Sequence, residues 1–526
     1  MKGCTVLLGL ALAAAAGCET KGLYDGGLQI ESFERLESGL AVQFSRPDEE
    51  IALLEPSAGG LAVRELFAPK DGERIVRTAV GPDPGAATEL YVFTEPVDER
   101  EIDLVESVTR IAPASGADPV RFEVGSYFGA LAFHPGGKYA LLYHPASDEG
   151  ASGGLFNQNE VGVIDLSRAP AADNPRLLTI DMGGRTVQGV AFPGELNVAG
   201  QARDLAMFEA DGAIVLLDLA DASLDPVTVK LKDESDTRTI VPEQLLARPG
   251  DAAHDPMLIL RSSGAQEVFA VSLVARPDGL PGFAAALNQY DSGLAPSAMC
   301  LAEDGDTPLL LVAGYGSTEI TVIDIDTANS FSLGLSGVAS ALLPHTRLDG
   351  APEIVMYGAS PWLDFLAVDD LAEEKGSNLE ELYIEDGVES AWEFGDDELL
   401  AIPSSGNGLT IVDLTERSVT RLTSYEGYDW GTADDYGDEL FYAAEGDDRV
   451  ISLDLAIGHP EPLVLDEAVS VFEIFPAAGM GLVLHAAPSG RATLFPLANP
   501  SREAAFVVDG LWLRDLLDAE KEEVAR

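Results

Sequence analysis

The stretch "VGVIDL", residues 161–166, decides the fold, because near-copies of it recur along the chain. "IVLLDL" stands at 214–219, "ITVIDI" at 320–325, "LTIVDL" at 409–414 and "VISLDL" at 450–455. Looser copies are "VFAVSL" (268–273), "FLAVDD" (365–370) and "ATLFPL" (492–497). The matched positions are Asp165, Asp218, Ser272, Asp324, Asp369, Asp413, Asp454 and Pro496, separated by 53, 54, 52, 45, 44, 41 and 42 residues. A period of that length marks a structural repeat.

Each copy has the same neighbours. Before "VGVIDL", the run "ALAFHPGGKYALLYH" (130–144) places two apolar segments either side of Pro-Gly-Gly, which is hairpin punctuation. Counterparts are "AMCLAEDGDTPLLLVAG" from Ala298, "ALLPHTRLDGAPEIVMYG" from Ala341, "AWEFGDDELLAIPS" from Ala391 and "VFEIFPAAGMGLVLHAAP" from Val471. After the motif come a polar turn and a short apolar piece, such as "RLLTI" (176–180) or "SVTRL" (418–422). Each unit therefore reads as four strands joined by tight turns. Strands such as "PLLLVAG" are apolar on consecutive residues, a pattern that suits sheets covered on both faces. One four-stranded sheet cannot cover itself, whereas a ring of them packed face to face can, and that is the β-propeller, typically of about 4 to 8 blades.

On these motifs the chain resembles bacterial propellers of the YVTN and WD-repeat-like type, whose third strand ends in a similar apolar-Asp pattern. The resemblance covers roughly 90–508. The Trp of the WD pair is replaced throughout by Ile, Val or Leu, unlike eukaryotic WD proteins. With four Trp in the chain, the tryptophan-docked quinoprotein propeller, and with it that of the outer-membrane barrel assembly machinery, is a poor match. A tandem of β-sandwich domains would pair the units two by two. Consecutive units share one ending motif and no doubled period appears, so the propeller is preferred. The expectation is an all-β propeller of seven or eight four-stranded blades over 90–508, preceded by an N-terminal β segment (28–89) that forms a partial blade or closes the ring. Within these flanks, "REIDLV" (100–105) looks like a further unit and "EIALLEP" (50–56) a fragment of one. The charged insertion "DLAEEKGSNLEELYIEDG" (370–387) admits one helical turn. The tail 509–526, opening on Asp509 and carrying Leu513, Leu516 and Leu517, reads as a short C-terminal amphipathic helix.

The N-terminus carries a separate message. Met1-Lys2, an apolar run to Ala16 and small residues before Cys18 form the layout of a secretory signal peptide. The run from Thr5 to Gly17 is shorter than the ~20 residues a spanning helix needs. Ala15-Ala16-Gly17-Cys18 resembles the lipobox of bacterial lipoproteins, with Ala15 where Leu is usual. That resemblance implies cleavage between Gly17 and Cys18, a signal peptide of residues 1–17, acylation of Cys18 and a tether over 18–27. Glu19, in place of the Asp associated with inner-membrane retention, implies the outer membrane of a Gram-negative cell envelope. Ten residues from Cys18 to Leu28 span at most about 35 Å. Of three cysteines, Cys4 leaves with the leader, so Cys300 has no intrachain disulfide partner once Cys18 is acylated.

Charge narrows the function classes. Eighty-nine acidic residues against 32 basic ones give a net charge of −57, which disfavours nucleic acid and anionic lipid surfaces as partners. Cys18, not a basic patch, would hold the chain at a membrane. No phosphate-binding glycine loop, paired-cysteine motif, His-x-x-x-His pair or nucleophile elbow is present. Cys300 lies in an apolar run and reads as a buried, inert thiol.

The repeat offers a finer test, since the end of the second strand points toward the face where propellers usually bind ligands. The aligned residues are Thr94, His144, Glu209, Arg261, Ala313, Tyr357, Ile402, Ala443 and His485. Two of six histidines share this position, and in a closed ring His144 and His485 would be neighbours, able to form a metal or acid–base site with Glu209. The plainer reading is two ordinary strand-end histidines. A second concentration, "SYEGYDWGTADDYGDELFY" (424–442), sets Tyr425, Tyr428, Trp430 and Tyr436 among carboxylates; it suits a sugar or calcium but lacks a twelve-residue calcium loop and reads better as a solvated loop. No catalytic, cofactor-binding or metal residue is expected. The function expected is a lipid-anchored, extracytoplasmic propeller that binds a protein or glycan without catalysis. The alternatives are a metal-dependent, lactonase-like hydrolase and a structural subunit of an envelope complex.

Overall fold

The computed structural model describes residues 30–509 except 45–49, 82–87, 98–105, 126–127, 147–156, 222, 252–253, 306, 348, 370, 372–378, 386, 395–397, 404–408, 423–431, 437–438, 444–445, 455–458 and 486–490. The described residues form ten antiparallel sheets, nine of four strands and one of five. Numbered along the chain, they occupy 30–67, 73–123, 130–179, 189–230, 244–291, 296–334, 341–383, 388–422, 432–464 and 469–509. All but the fourth are simple meanders of four consecutive strands, the blade unit of the β-propeller class. In sheet 4 the second strand is lengthened, Gln201–Ala210, and its start pairs with an added short strand, Glu195–Val198.

Each of the eight motif-bearing repeats is one sheet, sheets 3 to 10. These eight fit the seven or eight blades expected over 90–508, and the segment before them supplies two further complete sheets. "EIALLEP" lies in the third strand of sheet 1, Ile51–Ser57, and 28–89 is thus more than a partial blade. The third strand of sheet 2 is Ser107–Ile111; "REIDLV" lies outside the described residues. The third strands of sheets 1 and 2, Ile51–Ser57 and Ser107–Ile111, lack the apolar-Asp ending of the other eight. At Gly39, which opens the second strand of sheet 1, a Cβ would meet the Leu54 carbonyl oxygen of the third strand at 2.3 Å, an approach that only glycine allows. The segment 370–387 also differs from expectation. Its described part contains the strand Leu379–Tyr383, which pairs with Trp362–Ala367 as the outer strand of sheet 7. The leader, Cys18 and the tail beyond 509 lie outside the described residues.

The chain divides into two compact units. One contains 127–426, with sheets 3 to 8; the other contains 1–126 and 427–526, with sheets 1, 2, 9 and 10. Within each, neighbouring sheets bury their faces on one another. In the first unit, Phe208 and Leu217 of sheet 4 share a cluster with Leu141 and Val163 of sheet 3, and Leu216 and Met207 of sheet 4 share one with Leu258 and Phe269 of sheet 5. Adjacent residues of one strand thus serve opposite interfaces. All six residues of Ala213–Asp218 are buried, which is why the third strands read as continuous apolar runs. The outer strands, such as Leu379–Tyr383, have no buried residue and stand open to solvent. In the second unit, Leu40, Val42 and Leu54 of sheet 1 pack on Phe475, Leu482 and Leu494 of sheet 10. The first and last sheets of the chain are therefore neighbours there.

The repeat aspartate has a structural task. Asp165 Oδ1 accepts from Ser167 N (3.0 Å), Asp218 Oδ1 from Ala220 N and Asp221 N (both 3.0 Å), and Asp324 Oδ1 from Asp326 N (3.0 Å) and Thr327 N (3.1 Å). Asp413 Oδ1 accepts from Thr415 N (2.9 Å) and Glu416 N (2.7 Å). These are Asx turns that close the hairpin from the third to the fourth strand. At Ser272 the strand runs on to Ala275 in a long hairpin with Phe283–Asp291, and no such closure is needed. Around Asp324, burial favours the neutral acid, but hydrogen bonds from the Thr327 hydroxyl and the turn amides outweigh it and hold the carboxyl below its ordinary value.

Candidate functional site

The second-strand positions aligned in the sequence sit where the repeat placed them. Tyr143, Glu209, Arg261, Tyr357 and Ala443 lie at or next to the ends of Tyr139–Tyr143, Gln201–Ala210, Met257–Arg261, Pro352–Tyr357 and Glu439–Ala443, with His144 directly after the first of these. Thr94 and Ala313 precede the ends of Glu89–Pro96 and Thr307–Gly314, Ile402 that of Glu398–Pro403, and His485 closes Met480–His485.

Their surroundings consume their polar groups. His485 is 1% exposed; its Nδ1 donates to the Ala468 carbonyl (3.0 Å), so Nε2 is the acceptor for the Thr493 hydroxyl (2.8 Å). His144 is buried and stacked on Phe128, ring centroids 5.1 Å apart. It belongs to the unit 127–426 and His485 to the other. Arg261 donates to Gln244 Oε1 (3.1 Å), Glu243 Oε2 (2.9 Å) and the Pro296 carbonyl (3.0 Å), tying sheet 5 to sheet 6. Thr94 shares a hydrogen bond with Ser107 (2.8 Å). Glu209 is different, since its half-buried carboxyl lies over Gly189 and burial pushes it up to about 7. Among the described residues, no three His, Cys, Asp or Glu side chains are grouped to hold a metal ion. Cys300 is buried, and burial pushes its thiol up to about 12. Of the 424–442 stretch, Tyr425, Tyr428 and Trp430 lie outside the described residues.

The opposite end of sheets 7 and 8 holds an arrangement that the sequence reading passed over. A cavity of about 240 Å³ is lined by His345, Arg347, Asp349, Glu353, Glu380, Leu414, Thr415 and Arg417. His345 ends the first strand of sheet 7 and faces Glu353 across the ladder. Its Nδ1 donates to Glu353 Oε1 (2.7 Å), and both side chains are buried, 6% and 2% exposed. The other carboxylate oxygen, Oε2, accepts from Arg417 Nη2 (2.6 Å), contributed by the turn between the third and fourth strands of sheet 8. Arg417 also donates to the Leu414 carbonyl, approaches Glu380 (3.6 Å) and lays its guanidinium on the Phe365 ring, 3.6 Å from the centroid. Its φ of 53° lies in the left-handed region, a strain sustained by this set of contacts.

A buried carboxylate held between an arginine and an imidazole is costly to desolvate and holds its geometry only while every partner is in place. Chemically, Glu353 fixes the tautomer and direction of His345, as carboxylates do for histidines that bind ligands or move protons. One signal in the sequence pointed here. His134 of "ALAFH" and His345 of "ALLPH" are the fifth residues of aligned runs, and each lies within one residue of the end of a first strand and beside a carboxylate: His134 Nε2 lies 2.8 Å from Asp204.

No protein-family model matches the chain, and no curated protein matches it. Among solved structures, a dihydro-heme d1 dehydrogenase, NirN, in complex with DHE is similar at 15% identity over 68% of this chain and 71% of that one, with a TM-score of 0.41. A second similar structure, of BBS1N in complex with ARL6DN, gives 11% identity over 61% and 85% of the two chains and a TM-score of 0.31.

Proposed function

We propose that this protein is an exported propeller, held in the outer membrane of a Gram-negative cell envelope through acylated Cys18, that binds a protein or glycan partner and does no chemistry on it. The observation that carries the binding reading is the state of the second-strand ends. His485, Arg261 and Thr94 are engaged in bonds within and between sheets, so this end of the blades offers shaped turns instead of reactive groups. Propellers host binders and enzymes alike, so these residues and not the fold class favour binding. Cys18→Ala should move the protein from the membrane to the soluble fraction; retention in membranes contradicts the anchor. Chemical cross-linking followed by gentle solubilisation tests the partner, and it also separates a transient binder from a fixed subunit of an envelope complex.

A second reading, a hydrolase-like enzyme, is favoured by one observation, the His345–Glu353 pair at the cavity. Ester hydrolysis by the purified protein that disappears in His345→Gln would select it. For the lactonase-like variant with a channel metal, the decisive measurement is bound metal in the purified protein that is lost in His144→Ala.

A further inference from the structure

The cavity between sheets 7 and 8 carries more carboxylates than arginines, and its deeper arginine is already spent. Arg347 and Arg417 face Asp349, Glu353 and Glu380. Arg417 gives Nη2 to Glu353 (2.6 Å) and Nη1 to the Leu414 carbonyl, points Nε toward Glu380 (3.6 Å) and lays its face on the Phe365 ring. It thus meets an acceptor on each edge. Glu353, 2% exposed, uses one oxygen on His345 and the other on Arg417. The floor is a closed set of bonds, and an entering anion would have to break one of them.

The carboxylates at the mouth are less fully used. Glu380 stands opposite Phe365 on the outer strand of sheet 7, is 73% exposed and has Arg417 no nearer than 3.6 Å. Asp349 is 61% exposed, with Arg347 Nη2 at 3.3 Å from its Oδ2. A hairpin turn fixes its place, because Ala351 N donates to Asp349 Oδ1 (3.1 Å) and Arg347 N donates to the Ala351 carbonyl (3.0 Å). The mouth therefore calls for a donor, and a chain of net charge −57 draws cations toward it. A metal ion is the poorer fit, since among the described residues no three His, Cys, Asp or Glu side chains are grouped to hold one. An ammonium brings three donors and needs no fixed coordination geometry. The cavity, about 240 Å³, is also many times the ~30 Å³ of one water, so it admits a carbon stem behind the charged head, and Leu414 gives that stem an apolar wall.

We propose that this cavity binds a primary alkylammonium group, held by Glu380 and Asp349 with its stem along Leu414. The inference rests on the reading of the chain as a binder, not on Cys18, and names the group bound. A lysine side chain of a partner protein and a free small amine offer that same chemistry.

The test is titration calorimetry on the purified full chain at neutral pH and low salt. The probes are Nα-acetyl-lysine amide, cadaverine and, as the uncharged control, Nα-acetyl-norleucine amide. The two amines should bind, and the norleucine compound should bind roughly tenfold more weakly. Glu380→Gln and Asp349→Asn, both at largely exposed side chains, should each weaken amine binding about threefold to fivefold, and added salt should weaken it further. Tighter binding of the lysine compound assigns the site to a protein partner, and tighter binding of cadaverine assigns it to a free amine. Equal binding of the norleucine compound, affinities unmoved by both substitutions, or no binding of either amine overturns the site. Cross-linking in the envelope keeps the two readings apart. A captured partner with neither amine bound overturns the site and leaves the binding role standing; amine binding with no captured partner upholds the site and counts against that role.

Discussion

Two histidines at strand ends, His485 in sheet 10 and His345 in sheet 7, are both buried and both bonded, yet they do different things. His485 sits between a backbone carbonyl and a hydroxyl, neutral partners that ask nothing of its charge. His345 sits against a buried carboxylate that also holds Arg417 from the next sheet. One is a satisfied core residue; the other is part of a charged network bordering a cavity. The comparison teaches that recurrence at one repeat position does not make a site. What matters is whether neighbouring sheets bring ionic partners to it.

The largest expected effect comes from cutting the network at its centre. Glu353→Ala leaves Arg417 and His345 without their shared carboxylate and should cost about 3–5 kcal/mol, read as a fall in the denaturant midpoint. A cost below 1 kcal/mol would make His345 no different from His485. His485→Leu removes two hydrogen bonds and leaves the Ala468 carbonyl and the Thr493 hydroxyl in an apolar setting. It should cost about 1–3 kcal/mol by chemical denaturation.

Glu209 adds a pH test to the comparison, since it shares the second-strand position of His485 without its bonds. Folded, it keeps its proton to about 7, whereas the unfolded chain releases it near 4.5. The unfolded state therefore binds fewer protons across that window, so this group makes stability fall as pH rises from 4.5 to 7 and stay level above. Glu209→Gln should flatten that slope and raise stability at pH 8 by on the order of 1 kcal/mol once partial exposure is allowed for. The smallest effect belongs to the repeat aspartate. Asp413→Ala loses two turn bonds at a partly exposed position and should cost about 0.5–1.5 kcal/mol by chemical denaturation.

Much of the architecture was legible because its determinants are local. An aspartate two or three residues from the amides it accepts, and consecutive apolar residues in a strand covered on both faces, leave their mark within one short window of sequence. So the eight repeats, their four-strand makeup and the end position of the second strand could be read directly. The two N-terminal sheets showed only as the pieces "EIALLEP" and "REIDLV", because their third strands end without the repeat aspartate, and "LEELY" escaped because an outer strand open to solvent is as charged as a loop.

What the linear chain alone settled, then, is the repeating blade, the buried inertness of Cys300 and the scarcity of positive charge. Tertiary structure decided which blades meet, and with that the setting of His345. Glu353 is eight positions from His345 and Arg417 is 64 positions from Glu353, in another sheet. No local pattern links the three. Only burial of two sheet faces against each other brings a strained turn arginine onto a carboxylate from the neighbouring blade, and the low dielectric of that contact gives the pairing its strength.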